Sequence, residues 1–451
     1  HPRLGKTILG GMTVRKRTLL SVLLIVLLAS GLAFASGEQE QQTQGAAAED
    51  GEPKVLRITG QSWQNTKIFI EDAAKRFMED HPDVTVEVKT YAEPSVVSNY
   101  AIDWSRGKTP VDIAITSGAQ FSSQFVAKDL IYDFENELNF FEGDFTKDEF
   151  VGVGLENGKV QGNQYVIPLI IEAYGLVVNK SMFEEAGLVD DEGNPLAPET
   201  WEEFYEFAKK LHKEENGQVI QQGASIQWSV MNTYATLLAV LRASRGTVFG
   251  EDGESISFDN PEFREIMEIW KRGADEGVFS KEMFADHFAG IYSFRSGNLA
   301  MLLDSGGRWV EGAQSLGSDN VTVIPFPGAA TNGSYGFGSG VIIPKASPVP
   351  ELAVQFIKEQ LLGEYVQTRT VNQYGKMPAM TRHYDGAFAP EWQVMQEIAD
   401  ASGAPPTYKE FARFQKGVAP ILQNYLDGQL SLDEAIAEFE ELVDSIDKSM
   451  L

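Results

Sequence analysis

The sequence predicts an α/β protein with mostly parallel strands, and three observations carry that prediction. Val84, Val86 and Val88 alternate with polar residues, as a half-buried strand does. Residues 111–116 form a nearly unbroken apolar run of the kind buried on both faces of a parallel sheet. Between the first strand and these, Ile68, Ala73, Ala74, Phe77 and Met78 recur at roughly helical spacing, which makes a βαβ unit. At 451 residues the chain is long enough for two or three such units.

Each element then follows in order. Val55, Leu56 and Ile58 make the first strand, and Trp63-Gln64-Asn65-Thr66 reads as a polar turn after it. The helix runs to Asp80 and stops at His81-Pro82-Asp83, because proline disfavours helix in the residue before it. Leu176-Val177-Val178 is a further strand. Thr200 with Glu203 makes a capping box for a helix carrying Phe204, Phe207, Ala208 and Leu211, which Gly217 would end. Residues 232–243 are apolar on most sides and predict a deeply buried helix. Residues 300–303 and 321–324 are strands, running into the turns Asp304-Ser305-Gly306-Gly307 and Pro325-Phe326-Pro327-Gly328. Gly336-Phe337-Gly338-Ser339-Gly340 reads as a turn or hinge before the strand Val341-Ile342-Ile343. A helix starts over 347–351, with Leu352, Ala353, Phe356 and Ile357 on its inner face. Ser431 and Glu434 cap a last helix whose stripe is Leu432, Ala435, Ile436, Phe439, Leu442, Val443 and Ile446.

Composition narrows the function classes. With 43% hydrophobic and 23% charged residues the chain is globular rather than disordered or multi-span. Thirty-seven basic against 65 acidic residues give a net charge of −28 with no segregated basic patch, which disfavours nucleic acid as a partner. The absence of cysteine excludes disulfides, thiol catalysis and a lipid on an N-terminal cysteine. Five histidines, none in a ligand-spaced cluster, give no metal site. No nucleophile elbow, Walker loop or dinucleotide fingerprint occurs, so neither catalytic residues nor a cofactor are expected.

Residues 12–35 have the three parts of a secretory signal: Arg15, Lys16 and Arg17, then a short apolar run over 19–28, then Ala33-Phe34-Ala35 as a cleavage site. An uncleaved anchor is the other reading of the same run. Residues 36–53 hold almost nothing to bury and read as a flexible tether. The expected location is therefore periplasmic or otherwise extracytoplasmic.

Open α/β sheets bind ligands at strand ends. The candidates there are Trp63, Gln64 and Asn65; Ser117, Gly118 and Gln120; Glu172; Trp228; Asp304, Arg308 and Trp309; and Phe337. Flat aromatic faces with a few hydrogen-bonding groups suit a sugar, whose C–H face is apolar and whose hydroxyl rim needs partners. Each tryptophan taken alone reads more readily as core or rim than as a ligand platform.

Tyr165-Val166-Ile167-Pro168, Glu172 through Lys180, Phe183-Glu184-Glu185-Ala186-Gly187-Leu188, Thr200-Trp201-Glu202-Glu203-Phe204, Gly307-Arg308-Trp309 and the stretch Gly340 to Ser347 with Pro350-Glu351-Leu352-Ala353 together resemble the first family of bacterial extracellular solute-binding proteins. These are maltodextrin-binding-like receptors of ATP-driven carbohydrate importers, and the resemblance covers about residues 55–448. It implies a two-lobed type II periplasmic-binding-protein fold, with residues 54–168 plus 340–382 in the N-terminal lobe and 169–339 plus 383–451 in the C-terminal lobe. Hinges would fall near 169–171, 337–340 and 379–384. By position Glu172 resembles the family's cleft carboxylate, Trp309 its stacking aromatic, Trp63 to Asn65 the polar loop after the first strand and Ser117 to Gln120 a cleft loop, with Phe411 or Phe414 at the late aromatic position.

The implied function is a monomeric, non-enzymatic receptor that captures a small carbohydrate and delivers it to the membrane permease subunits of an ABC importer. The competing readings are a receptor for a polyamine or other cationic solute, favoured by Glu172, Asp304 and the acidic balance, and a secreted glycoside hydrolase.

Overall fold

The computed structural model describes residues 54–92, 96–384 and 389–450, the side chains of residues 96 and 98 excepted. The expected signal (12–35) and tether (36–53) lie outside these. The described chain opens with β1 (Lys54–Gln61), α1 (Ser62–Ile68), α2 (Ile70–Asp80), β2 (Val84–Tyr91) and β3 (Ile113–Thr116). β1 pairs in parallel with both β2 and β3.

Two local expectations are corrected here. Trp63 to Thr66 is not a turn but the body of α1, because the Gln64 side chain accepts the Gln61 N–H at 2.9 Å and closes the first helical turn from within. The helix expected across 68–80 is broken at Phe69, whose φ of 53° caps α1 in the left-handed region before α2 begins.

Onward come β4 (Ile167–Asn179), α3 (Trp201–Leu211), β5 (Gln218–Ile226), α4 (Thr233–Arg245), α5 (Ala289–Arg295), β6 (Leu299–Ser305), α6 (Arg308–Leu316), β7 (Val321–Ile324) and β8 (Gly336–Ile342). The chain closes with α7 (Glu364–Tyr374), β9 (Met377–Pro378), α8 (Phe411–Leu426) and α9 (Leu432–Asp444). Thr200 caps α3 as expected, its hydroxyl accepting the Glu203 N–H at 3.1 Å. Gly217 does not end that helix, which stops at Leu211; it takes φ 73° in the turn leading to β5.

The fold is two-lobed, and β4 belongs to both lobes. All thirteen of its residues are buried. Its first half lies antiparallel to β8 on one edge and β9 on the other, while its second half pairs with β6 and β7. Leu56, Ile58, Phe77, Ile113, Ile170 and Val341 share one hydrophobic core; Leu176, Val178, Phe204, Leu237, Phe414 and Phe439 share another. Each such fully buried side chain stabilises its lobe by about 1.5–3 kcal/mol.

The glycine-rich segment 336–340 is strand β8 itself rather than a turn. Phe337, Gly338 and Ser339 stand opposite Glu172, Ile171 and Ile170 of β4. A Cβ on Gly338 would lie 1.9 Å from the Ile170 carbonyl oxygen, so only glycine permits this approach. Two of the segments expected as hinges, 169–171 and 337–340, therefore lie side by side, with Pro378 of β9 on the far edge of Ile170.

Candidate functional site

Where the two sheets meet, six charged side chains gather in a polar floor. Glu172 projects from the middle of β4, and only 8% of it is exposed. It accepts the Ser305 hydroxyl at 2.9 Å and forms an ion pair with Lys376. Ser305 is the last residue of β6, in register with Tyr174, so antiparallel pairing delivers it to Glu172.

Lys376 arrives by a different route. Gly375 ends α7 in the left-handed region at φ 63°, and Gly307 packs directly on it. A Cβ on Gly307 would stand 1.8 Å from the Gly375 carbonyl oxygen. Two side-chain-free residues thus hold the end of α7 against the start of α6 and direct Lys376 to Glu172.

The floor continues into α6. Arg308 donates to Glu311 at 2.7 Å and lies 3.5 Å from Asp304, which also accepts from Gln227 at 3.0 Å. From α1, Lys67 reaches to within 3.7 Å of Glu311. Three cations, Lys67, Arg308 and Lys376, meet three carboxylates, Glu172, Asp304 and Glu311.

Their electrostatics follow from burial and pairing. Burial alone raises the Glu172 pKa, but the charge and hydrogen bond of Lys376 and the Ser305 hydroxyl outweigh it and hold the carboxyl below the usual range. Glu311 is likewise pushed up by burial and pulled further down by Arg308 and Lys67. Arg308 is held above its ordinary value, because Asp304 and Glu311 overcome the cost of burial. Lys67 goes the other way: burial, then Lys376, lowers its pKa to about 8 despite Glu311.

Among the expected site residues, Glu172, Asp304 and Arg308 come together in this floor. Phe337, across from Glu172 in β8, is half-buried and stacks on Tyr335 with ring centroids 5.4 Å apart. Gln64 is fully buried and donates to Ser339 of β8 at 3.1 Å. Gln120 donates to the Ser117 carbonyl at 2.9 Å and approaches the Tyr335 hydroxyl at 3.5 Å, leaving its own carbonyl oxygen buried without a partner. Gly118 supplies the φ of 111° that this tight turn requires. Trp63 stays exposed on α1, its indole N–H bonded to Gln61 at 2.9 Å.

Four expected residues lie elsewhere. Asn65 bonds to Glu71 at the surface of its own helix pair. Trp228 is wholly enclosed by Trp270, Phe279 and Phe284, and Phe411 by Phe414, Tyr234 and Phe121. Trp309 is buried edge-on against Trp392, 5.6 Å between ring centroids. Apolar burial took these rings into the packing, so none of the three turns a free face to a ligand. Sequence reasoning missed Lys67, Gln227, Glu311 and Lys376. Lys67 lies one helical turn beyond Trp63, a signal hidden by reading α1 as a turn; nothing in the sequence marks Lys376.

No group of His, Cys, Asp or Glu among the described residues could hold a metal ion. Side chains from both lobes thus meet at one polar floor within a two-lobed fold. A model of the family described as bacterial extracellular solute-binding protein matches residues 62–361, and the chain belongs to that family. It is 23% identical over 409 residues to a mannitol-binding protein of Pseudomonas aeruginosa (84% of this chain, 89% of that one). It is 22% identical over 308 residues to a lactose-binding protein of Rhizobium radiobacter (64% and 66%). Among solved structures it resembles an ABC transporter solute-binding protein from Thermotoga lettingae bound with α-D-tagatose, at TM-score 0.72 and 21% identity (87% of this chain, 99% of that one). The sugar-binding protein MalE of Xanthomonas citri gives TM-score 0.71 at 18% identity (87% and 96%). At such identities the structural likeness establishes the fold.

Proposed function

We propose that this protein is the extracytoplasmic receptor of an ATP-driven importer and captures a sugar or short oligosaccharide between its lobes. The observation that carries the reading is the charge-matched floor around Glu172. Every buried carboxylate there faces a cation, so the floor offers acceptors and donors to hydroxyl groups without an excess of either charge. A neutral polyhydroxylated solute meets such a surface with little desolvation penalty. The names of the relatives, which bind lactose and mannitol, support the same class.

A cationic solute is disfavoured by that balance, since no carboxylate is spare. Hydrolysis is disfavoured by the state of Glu172: held ionised beside Lys376, it has no proton to give a leaving group. We place the change of lobe within β4, near Glu172, with β8 crossing beside it. A solute touching both lobes would favour the closed arrangement by its differential affinity, and the permease subunits would read that state. Export by residues 12–35 and a monomeric receptor complete the proposal; among the described residues no helix is long and apolar enough to cross a membrane.

Thermal unfolding against maltose, lactose, D-tagatose, mannitol, spermidine and putrescine tests the reading. A sugar present at a hundred times its Kd stabilises the folded state by about 2.7 kcal/mol. Stabilisation by a polyamine but by no sugar would replace carbohydrate with cation as the cargo.

A further inference from the structure

The lobes are also joined away from β4, by a short stretch after α9. Ile446, two residues past that helix, lies in the core of the second lobe with Phe414 and Phe439. Met450 is only 8% exposed and belongs to a cluster with Trp104, Ala114, Phe125, Val160 and Ile342. That cluster is part of the first lobe: Ala114 alternates along β3 with Ile113 and Ile115, which face the other core, and Ile342 of β8 pairs with Ala114. Four residues therefore carry the chain from the core of one lobe to that of the other.

Both ends are fastened. On the second-lobe side Lys409 pairs with Asp447 at 2.9 Å, and Lys448 donates to the Ser255 hydroxyl at 2.8 Å. On the first-lobe side Gln161 donates to the Ser449 carbonyl at 3.4 Å. Thr407 donates to the Met450 carbonyl at 2.8 Å, and the neighbouring Tyr408 spans the same seam. Its carbonyl accepts the Ser123 hydroxyl of the first lobe at 3.2 Å, while its own hydroxyl donates to the Glu254 carbonyl of the second at 2.7 Å.

We propose that residues 446–450 form a strap that limits lobe opening, with Met450 as its releasable plug. Four residues reach at most about 14 Å when fully extended, so the two anchorages cannot separate further while Met450 stays seated. Wider opening must draw Met450 from its cluster and return the side chain to water, which lowers the ratio of widely open to closed molecules by about tenfold or more. Ala119 belongs to the same cluster and lies between Gly118 and Gln120, so the plug also bears on that expected cleft loop.

The chain contains no cysteine, so cysteines introduced at exposed Lys75 of α2 and exposed Glu265 of the second-lobe helix Pro261–Asp275 carry the only spin labels. Pulsed electron spin resonance on the unliganded full protein then reads the distance between the lobes. Met450→Ala should broaden that distribution toward longer separations, and Met450→Leu, which refills the site, should restore it. Gln161→Ala, at an exposed position where the fold is not at risk, should broaden it in the same direction by less. A wild-type distribution in a folded Met450→Ala protein overturns the strap. So does a Met450→Leu protein as widely open as Met450→Ala, since an apolar plug would then not be what holds the lobes. If Met450→Ala does not fold, Gln161→Ala decides alone, and a wild-type distribution there overturns the strap. No solute enters the measurement, so its failure leaves the carbohydrate reading standing.

Discussion

Lys376 and Glu172 form an ion pair in which each side chain is only 8% exposed, joining the second residue after α7 to the centre of the strand that both lobes share. Removing one member leaves the other buried without its counter-charge, which costs about 3–5 kcal/mol, whereas removing both exchanges the pair for apolar contact at far smaller cost. Lys376→Met should therefore lower unfolding free energy in urea by about that amount, and Lys376→Met with Glu172→Leu should recover most of it. A double variant no more stable than the single one would show the pair to be uncoupled.

The same pair fixes a pH dependence at the acidic end. Glu172 and Glu311 have folded pKa values below their unfolded ones, so their contribution is fully present above an unfolded value of about 4.3 and is lost as pH falls through the depressed folded values. Urea midpoints measured from pH 6 downward should fall steeply below pH 4 in the wild type and more gently in a Glu311→Gln protein.

Lys67 gives the opposite sign. Its folded pKa of about 8 lies below the unfolded value, so between them the unfolded chain holds a proton that the folded chain has released. Its contribution to stability therefore rises with pH across that window. The difference in unfolding free energy between wild type and Lys67→Met should shift in favour of the wild type from pH 8 to pH 10; a pH-independent difference would contradict the burial assigned to Lys67.

Trp309→Ala should act through the fold. The ring is buried against Trp392 within a cluster that includes Val310, Val323 and Met395, and truncating it leaves a cavity worth about 3–5 kcal/mol. Differential scanning calorimetry should show a lowered melting temperature without ligand present. Full thermal stability would mean that the ring is not packed as the structure has it.

Gly307→Ala tests the backbone contact that aims Lys376. Its new methyl would meet the Gly375 carbonyl oxygen at 1.8 Å, too close for any rotamer to relieve, so α6 and α7 must part. Sugar affinity should drop together with stability, because Glu172 loses its counter-ion. An unaffected Kd would separate the Gly307 contact from the site.

Much of the scaffold was legible because period and capping are local. Residues 321–324 were read as the strand that forms, and Ser431 with Glu434 does cap α9, the serine N–H bonding the Glu434 carboxylate at 2.8 Å. The misreadings were equally local in origin: α1 looked like a turn because its polar residues hid a helix closed by Gln64, and β8 looked like a hinge because its glycines serve backbone approach to Ile170. Glu172, Asp304 and Arg308 were found through strand ends and family resemblance.

By itself the sequence determined the α/β class, the order of most elements and three members of the charged floor, since apolar periodicity and strand-end position are properties of neighbouring residues. Only the tertiary structure decided which aromatic rings are core and which are free, and which lysines face Glu172. Lys67 and Lys376 lie 105 and 204 positions from that carboxylate in opposite directions along the chain. Their meeting depends on β4 joining two lobes and on two glycines touching, and no local pattern encodes a contact made across that distance.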